Sequence, residues 1–275
     1  MKQPRWSQVR EVPRLPRRPR GAHKGTFGTV LVVAGSDDML GAAILAARGA
    51  LRGGCGLVRV AVPPALRPFV AAAVPCATTL ARSPAGLRAA VQAADACVVG
   101  PGLGAVPATR RLVAAVLRAG VAPVVLDADA LNVLAPWRRP LAAAAPLVLT
   151  PHPGEAARLL GRSTAAVQDD RHAALRELCR RSGAVVVLKG ARTLVGDGAR
   201  WFENDTGNPG MATGGAGDVL TGLLGALLAQ GLSPFAAACL AVHVHGRAGD
   251  RVARRLGEAG LIASDLPLAI AQELR

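Results

Sequence analysis

The chain has 275 residues, half of them apolar and under a fifth charged, a balance that excludes a disordered protein and provides ample core for one large α/β domain. The formal charge of +15 is carried almost wholly by arginine, with lysine only at Lys2, Lys24 and Lys189. A nucleic-acid binder concentrates its charge on one element beside stacking aromatics. Here the arginines are scattered and tyrosine is absent, so no nucleic-acid partner is expected.

No run approaches the roughly 18 apolar residues of a membrane span, and the N-terminus lacks the apolar stretch of a signal peptide. No membrane partner and a cytoplasmic location are therefore expected. Cys55, Cys76, Cys97, Cys179 and Cys239 form no CxxC pair and sit in apolar segments, which predicts reduced core thiols and no structural metal.

Residues 1–24, MKQPRWSQVREVPRLPRRPRGAHK, concentrate arginine and proline. The prolines forbid a regular helix and predict a disordered basic tail ahead of one domain over 25–275. After it, TVLVVAG (29–35) and the helical LGAAILAARGALRGG (40–54) read as strand, loop and helix. Further apolar strands follow at LVRVAVP (57–63), ACVVG (96–100), APVVLDAD (122–129), PLVLT (146–150) and AVVVLKG (184–190), most followed by a helical pattern. Near-continuous apolar strands separated by helices indicate a doubly wound α/β fold, its mainly parallel sheet covered on both faces. RTLVGD (192–197) and RWFEN (200–204) predict an antiparallel hairpin closing one sheet edge. Helical patterns run from Gly217 through Gln230, from Pro234 to about Arg255 and from Asp265 to Leu274.

In an open parallel sheet, ligands bind beyond the carboxyl ends of the strands. VVAGSDDMLGA, VVGPGLG, LDADALN, LTPHPGE and VLKGARTL all end predicted strands with glycine or small polar and charged residues, and so point to a single site. The strongest signal is GMATGGAGDVLTG, where Gly214, Gly215 and Gly217 lead into a helix. Amides converging at a helix N-terminus suit a phosphate, and Asp218 beside them can accept a proton from an attacking hydroxyl. For an isolated GGxGD the bland alternative is a tight turn with Asp218 complementing the helix dipole. The preceding Asn204, Thr206 and Asn208 favour a site, since such a run of small polar residues is costly to order without a ligand. The segment is no Walker-type loop, and GPGLG (100–104) lacks the third glycine of a dinucleotide fingerprint.

Lys189 closes an apolar strand, from which a charged tip can reach a phosphate or simply end the strand. His152, before Glu155, enters a helix near Gly154 with Glu155 favouring its dipole, a placement compatible with a substrate role. Asp127 and Asp129 can hold Mg²⁺ through water or cap the next helix. His243 and His245, two apart in a helix, face different directions and make no metal pair.

Taken in order, KGTFGTVLVVAGS, GAAILAARGALRGGCGLV, VVGPGLG, VVLDADALN, LTPHPGE, VLKGART, NPGMATGGAGDVLTG and GLIASDL resemble the ADP-dependent NAD(P)H-hydrate dehydratases over about residues 24–275. The resemblance implies a ribokinase-like three-layer sandwich. It implies repair of NAD(P)H hydrated on the reduced ring: ADP phosphorylates the ring hydroxyl, phosphate is eliminated, and AMP and phosphate are released. Asp218 would be the catalytic base; Ala42, Gly104, His152 and Asp218 would contact the hydrated cofactor. Lys189, Gly190, Ala191, Arg192 and Thr193, with Gly217, would hold the adenine nucleotide, and Gly215, Ala216 and Gly217 would form the anion hole. The resemblance further implies nucleotide-associated Mg²⁺ with no protein-held metal, a homo-oligomer, by family habit a tetramer, and an NAD(P)H-hydrate epimerase as a separate protein. Ala216 departs from the Ser or Thr often found there, losing a hydroxyl and keeping the amide. The alternative is a ribokinase-like kinase for a vitamin precursor of the hydroxyethylthiazole or hydroxymethylpyrimidine type, which would stop at the phosphorylated product. A fold-sharing nucleic-acid binder is a third reading, supported only by the basic balance and the tail.

Overall fold

The computed structural model describes residues 6–137, 143 and 145–274. Ten strands form one sheet: β1 (Ser7–Gln8), β2 (Thr29–Val33), β3 (Leu57–Val62), β4 (Thr78–Ala81), β5 (Ala96–Val99), β6 (Val124–Leu126), β7 (Leu147–Leu149), β8 (Val185–Leu188), β9 (Leu194–Gly196) and β10 (Arg200–Glu203). Their spatial order is β1-β10-β9-β8-β7-β6-β5-β2-β3-β4, parallel except where β9 pairs with β8 and β10. The helices are α1 (Leu40–Arg52), α2 (Arg67–Ala73), α3 (Pro84–Gln92), α4 (Pro107–Ala119), α5 (Asp129–Asn132), α6 (Pro153–Leu160), α7 (Thr164–Asp169), α8 (Arg171–Ser182), α9 (Ala216–Ala229), α10 (Pro234–Leu256) and α11 (Leu266–Glu273).

Period-two alternation along each strand builds two cores. Val30, Val32, Val60 and Val98 join α1, α9 and α10 on one face, while Leu31, Val33, Val99 and Leu126 join α4, α6 and α8 on the other. The expected three-layer α/β sandwich is the fold observed. After β2 the chain builds outward through β3 and β4, then returns to place β5 on the opposite side of β2. The crevice between the ends of β2 and β5 is the switch point at which such sheets bind ligands.

Three expectations are corrected. Residues 6–24 are not a disordered tail: β10 would otherwise be an edge strand with open backbone groups, and proline-free Ser7–Gln8 pairs with it in parallel register. The Arg176 guanidinium lies 4.4 Å from the Trp6 ring centre, Val9, Val12 and Leu15 pack on the core, and Arg18 reaches the Gly54 carbonyl and stacks on Phe27. The hairpin is present, with Trp201 opposite Gly196, but β1 lies beyond it at the edge. Cys76 is the exception to the core thiols: it is exposed, and the other four are buried.

Helix α9 carries the Gly-rich loop and is wedged between the sheet and α1 by glycines. A Cβ at Gly222 would sit 1.9 Å from the Ala46 carbonyl oxygen, and one at Gly49 2.3 Å from that of Val219. On the other side a Cβ at Gly225 would sit 2.5 Å from a Val98 methyl. No rotamer change relieves a clash with backbone, so Gly222→Val is expected to destabilise the fold by about 2 kcal/mol or more. Urea unfolding checks this: the midpoint should fall at unchanged slope.

Candidate active site

The carboxyl ends of β2, β5, β6, β7 and β8 open toward the N-terminus of α9, so the loops singled out by sequence converge. Gly35 on the β2 loop donates its amide to the Pro101 carbonyl, 2.8 Å, and a Cβ at Gly102 would lie 2.9 Å from that of Ala42. Gly104 donates its amide to Asp129 Oδ2 at 2.8 Å. Lys189 donates its amide to the Pro151 carbonyl at 2.9 Å, stitching the TPHPGE loop to the KGART loop. Ala128, between the two aspartates, has φ of 47°, a conformation that a residue with a Cβ adopts only when its surroundings force it. The force is visible at Gly100, whose missing Cβ would lie 1.8 Å from the Asp127 carbonyl oxygen.

The centre is a cluster of buried charge. Asp127 is 1% exposed; its Oδ1 accepts from Lys189 Nζ at 2.7 Å and its Oδ2 from Thr221 Oγ1 at 2.6 Å. Lys189 Nζ also lies 3.8 Å from Glu155. Burial opposes the ammonium charge, but Asp127 and Glu155 outweigh it and hold the lysine above its ordinary value. Burial raises the Glu155 carboxyl despite Lys189. Asp218, in the first turn of α9, is pushed up to about 7 by burial and then by Asp127, with Lys189 opposing. A carboxylate that takes and yields a proton near neutrality is what general-base chemistry requires.

His152 is the N-cap of α6 in a reciprocal capping box. Its Nδ1 accepts from the amides of Gly154 at 3.0 Å and Glu155 at 3.4 Å, while Glu155 Oε2 accepts from the His152 amide at 2.8 Å. Burial, Lys189 and Arg158 lower its pKa. A neutral ring whose Nδ1 accepts carries its proton on Nε2, which lies 3.4 Å from Glu155 Oε1 on a half-exposed side chain at the mouth of the site.

A cavity of about 550 Å³ adjoins this cluster, walled by Lys189 through Thr193, Asn204 through Pro209, and the Ala216–Gly217 and Val242–Gly246 faces of α9 and α10. Thr193 Oγ1 donates to the Gly190 carbonyl, 2.9 Å, and Arg192 pairs with Glu203. At Gly217 a Cβ would lie 3.3 Å from Lys189 Nζ, so glycine there lets the ammonium rest over the helix terminus. Among the described residues the amides of Gly215 and Gly217 have no protein partner. That of Ala216 donates to the Thr213 carbonyl at 3.4 Å, which removes one of three expected members from the free anion hole.

The structure thus brings Ala42, Gly104, His152, Lys189 and Asp218 to one crevice and places Gly190, Ala191, Arg192, Thr193 and Gly217 on the adjoining cavity. The argument from Asn204, Thr206 and Asn208 does not hold, because the protein itself satisfies them. The single proton of Thr206 Oγ1 lies between Asn204 Oδ1 at 2.9 Å and the His243 carbonyl at 3.0 Å, and Asp250 accepts from the Gly207 amide and Asn208 Nδ2, both at 3.0 Å. Nor does Asp129 cap its helix by side chain; it holds Gly104 instead. Asp250, Thr221 and Glu155 were missed as site residues. Helical spacing was the available signal, since Thr221 lies one turn after Gly217 and Asp250 one turn after Gly246. His245 lines the cavity with Nε2 unpartnered among the described residues, and burial pushes it down to about 4.

A sequence model of the family described as NAD(P)H-hydrate dehydratase matches residues 30–272. The bifunctional NAD(P)H-hydrate repair enzyme Nnr of Moorella thermoacetica is 46% identical over 266 residues, 92% of this chain and 50% of that protein. The ADP-dependent (S)-NAD(P)H-hydrate dehydratase of Neisseria meningitidis is 45% identical over 256 residues, 90% of this chain and 86% of that protein. The ADP/ATP-dependent NAD(P)H-hydrate dehydratase of Bacillus subtilis, co-crystallised with ATP/Mg²⁺, superposes with a TM-score of 0.86 at 34% identity, covering 94% of this chain and 93% of that one. The chain spans about half the length of the bifunctional relatives it matches. Its fold is ribokinase-like, and the chain belongs to the NAD(P)H-hydrate dehydratase family.

Proposed function

We propose that this chain dehydrates the S form of NAD(P)H hydrate, using ADP as phosphoryl donor and releasing NAD(P)H, AMP and phosphate. The observation that carries the reading is Asp218, a carboxylate near neutrality at the N-terminus of α9, beside Lys189 and the Gly217 amide. In the proposed reaction Asp218 takes the proton of the ring hydroxyl as its oxygen attacks the β-phosphorus of ADP. The bond from that phosphorus to the bridging oxygen breaks, and AMP leaves. The ring nitrogen then pushes electrons into the ring, the carbon–oxygen bond breaks with phosphate as leaving group, and a proton lost from the neighbouring carbon restores the double bond. The Gly215 and Gly217 amides and the α9 dipole would stabilise charge on the transferring group.

Ala42, Gly104 and His152 are proposed to contact the hydrated cofactor, and Lys189 through Thr193 with Gly217 the nucleotide. Among the described residues no three acidic, histidine or cysteine side chains converge as a metal cage, and both Asp127 oxygens are engaged by Lys189 and Thr221. Magnesium in this reading accompanies the nucleotide phosphates, whose charge it would neutralise. A homotetramer, by family habit, a cytoplasmic location and a functional partnership with an NAD(P)H-hydrate epimerase accompany the proposal; light scattering after size exclusion tests the first.

The deciding assay mixes the protein with ADP and hydrated NADH and follows reduced-nicotinamide absorbance, which should rise with stoichiometric AMP. No gain, beside phosphorylation of hydroxyethylthiazole, would overturn the reading in favour of a kinase. Asp218→Ala should lower turnover by about 10² or more, the usual loss for a positioned base. Because the base acts only when ionised, kcat/KM should rise with pH through about 7 and level off above it.

Stability carries the opposite sign. The folded Asp218 holds its proton more tightly than the unfolded chain does, so its stabilising contribution is complete below about pH 4 and lost as pH rises through about 7. Asp218→Asn, which mimics the protonated side chain, should therefore raise Tm at pH 8 and raise it much less at pH 5. Differential scanning calorimetry at the two pH values checks this.

A further inference from the structure

Arg158 stands at the mouth of the site, on the exposed face of α6 about one helical turn after Glu155 and two after the N-cap His152. It is in the last turn, where an arginine can serve the helix dipole, but that end is already closed. Gly161 caps it in the left-handed conformation and donates to the Arg158 carbonyl at 3.3 Å, and Arg162 donates to the Ala157 carbonyl at 2.9 Å. The guanidinium instead turns across to α5, where Nε donates to Asn132 Oδ1 at 3.0 Å. Asn132 Nδ2 in turn donates to Asp129 Oδ1 at 3.3 Å, and Asp129 Oδ2 takes the Gly104 amide at 2.8 Å. Three links thus fix the guanidinium relative to Gly104, while on its other side a Cβ at Gly154 would lie 3.8 Å from its Nη1.

Anchoring through Nε leaves the two Nη groups, the fork that grips a phosphate, without a hydrogen bond among the described residues. Around it the site is rich in negative charge, with Asp127, Asp129, Glu155 and Asp218 set against Lys189, whose ammonium is already engaged by Asp127. A dinucleotide adds two further negative charges in its diphosphate bridge, and Arg158 is the cation, besides Lys189, whose charge reaches His152 and Glu155. We infer that Arg158, held by Asn132, is a specificity-determining residue that binds the diphosphate of the dinucleotide substrate. The inference rests on the dehydratase reading for the identity of the substrate, and it adds the contact that separates a dinucleotide from a bare hydrated ring.

The test titrates NADH, NADPH and reduced nicotinamide riboside, which lacks any phosphate, into the wild-type protein and the Arg158→Gln and Arg158→Lys variants, following nicotinamide fluorescence. Losing a charge-assisted contact should weaken NADH and NADPH binding about tenfold or more relative to the riboside in Arg158→Gln, with a smaller loss in Arg158→Lys. Steady-state KM for the two hydrates should rise in parallel, with kcat much less affected. An unchanged ratio of dinucleotide to riboside affinity would overturn the inference, as would a loss confined to NADPH, which would move the contact to the ribose phosphate. These titrations need no turnover, so a wild-type protein that binds NADH in an Arg158-dependent way yet leaves the hydrate untouched would sustain the contact and sink the dehydratase reading.

Discussion

One carboxylate joins three parts of the molecule. Asp127 directly follows β6, Lys189 directly follows β8 and Thr221 sits in the second turn of α9, and both oxygens of Asp127 are spent on the other two. Removing Lys189 would leave the buried Asp127 charge without compensation, a change that typically costs about 3–5 kcal/mol. The same pair sets the chemistry. With Lys189 half neutralised by Asp127, Asp218 meets too little positive charge to offset its burial, and its carboxyl rises into the range where it can exchange a proton at neutral pH.

A carboxylate tuned by its surroundings works only if the surroundings stay put, and the glycines of α9 provide for that. Gly222 and Gly225 let the helix approach α1 and the sheet until backbone meets backbone and methyl, so the helix cannot slide without breaking close packing on both sides. The NDTGNPGM loop is ordered in the same manner, by Asp250 and the His243 carbonyl. The cavity wall is therefore set by the protein's own hydrogen bonds, which limits the ordering entropy that a nucleotide would have to overcome.

Much of this was legible in the sequence. Apolar strands at 29–35, 57–63, 96–100 and 184–190 announced a parallel sheet because burial on both faces removes alternation. The loops at strand ends marked the site because sheet topology brings them together. The first strand was not legible: Ser7–Gln8 has no apolar signature, and only the open edge of β10 explains why those residues are extended. The roles of Asp127 and Thr221 were hidden for a related reason. They are 94 residues apart, and nothing local in LDADALN distinguishes a carboxylate that pairs with Lys189 from one that caps a helix. Asn204, Thr206 and Asn208 misled because their partners, the His243 carbonyl and Asp250, lie on another helix.

The arrangement also bears on why an intermediate formed here would break down. A phosphate gripped by several full cations would be bound tightly and released slowly. At the N-terminus of α9 the fixed positive charge is mostly amide dipoles, with one lysine already shared with Asp127. Dipoles aimed at a point stabilise charge as it develops without adding the deep electrostatic well of a free ion. In the proposed reaction phosphate must first be accepted and then expelled, and a site built from amides with a compromised lysine suits both halves.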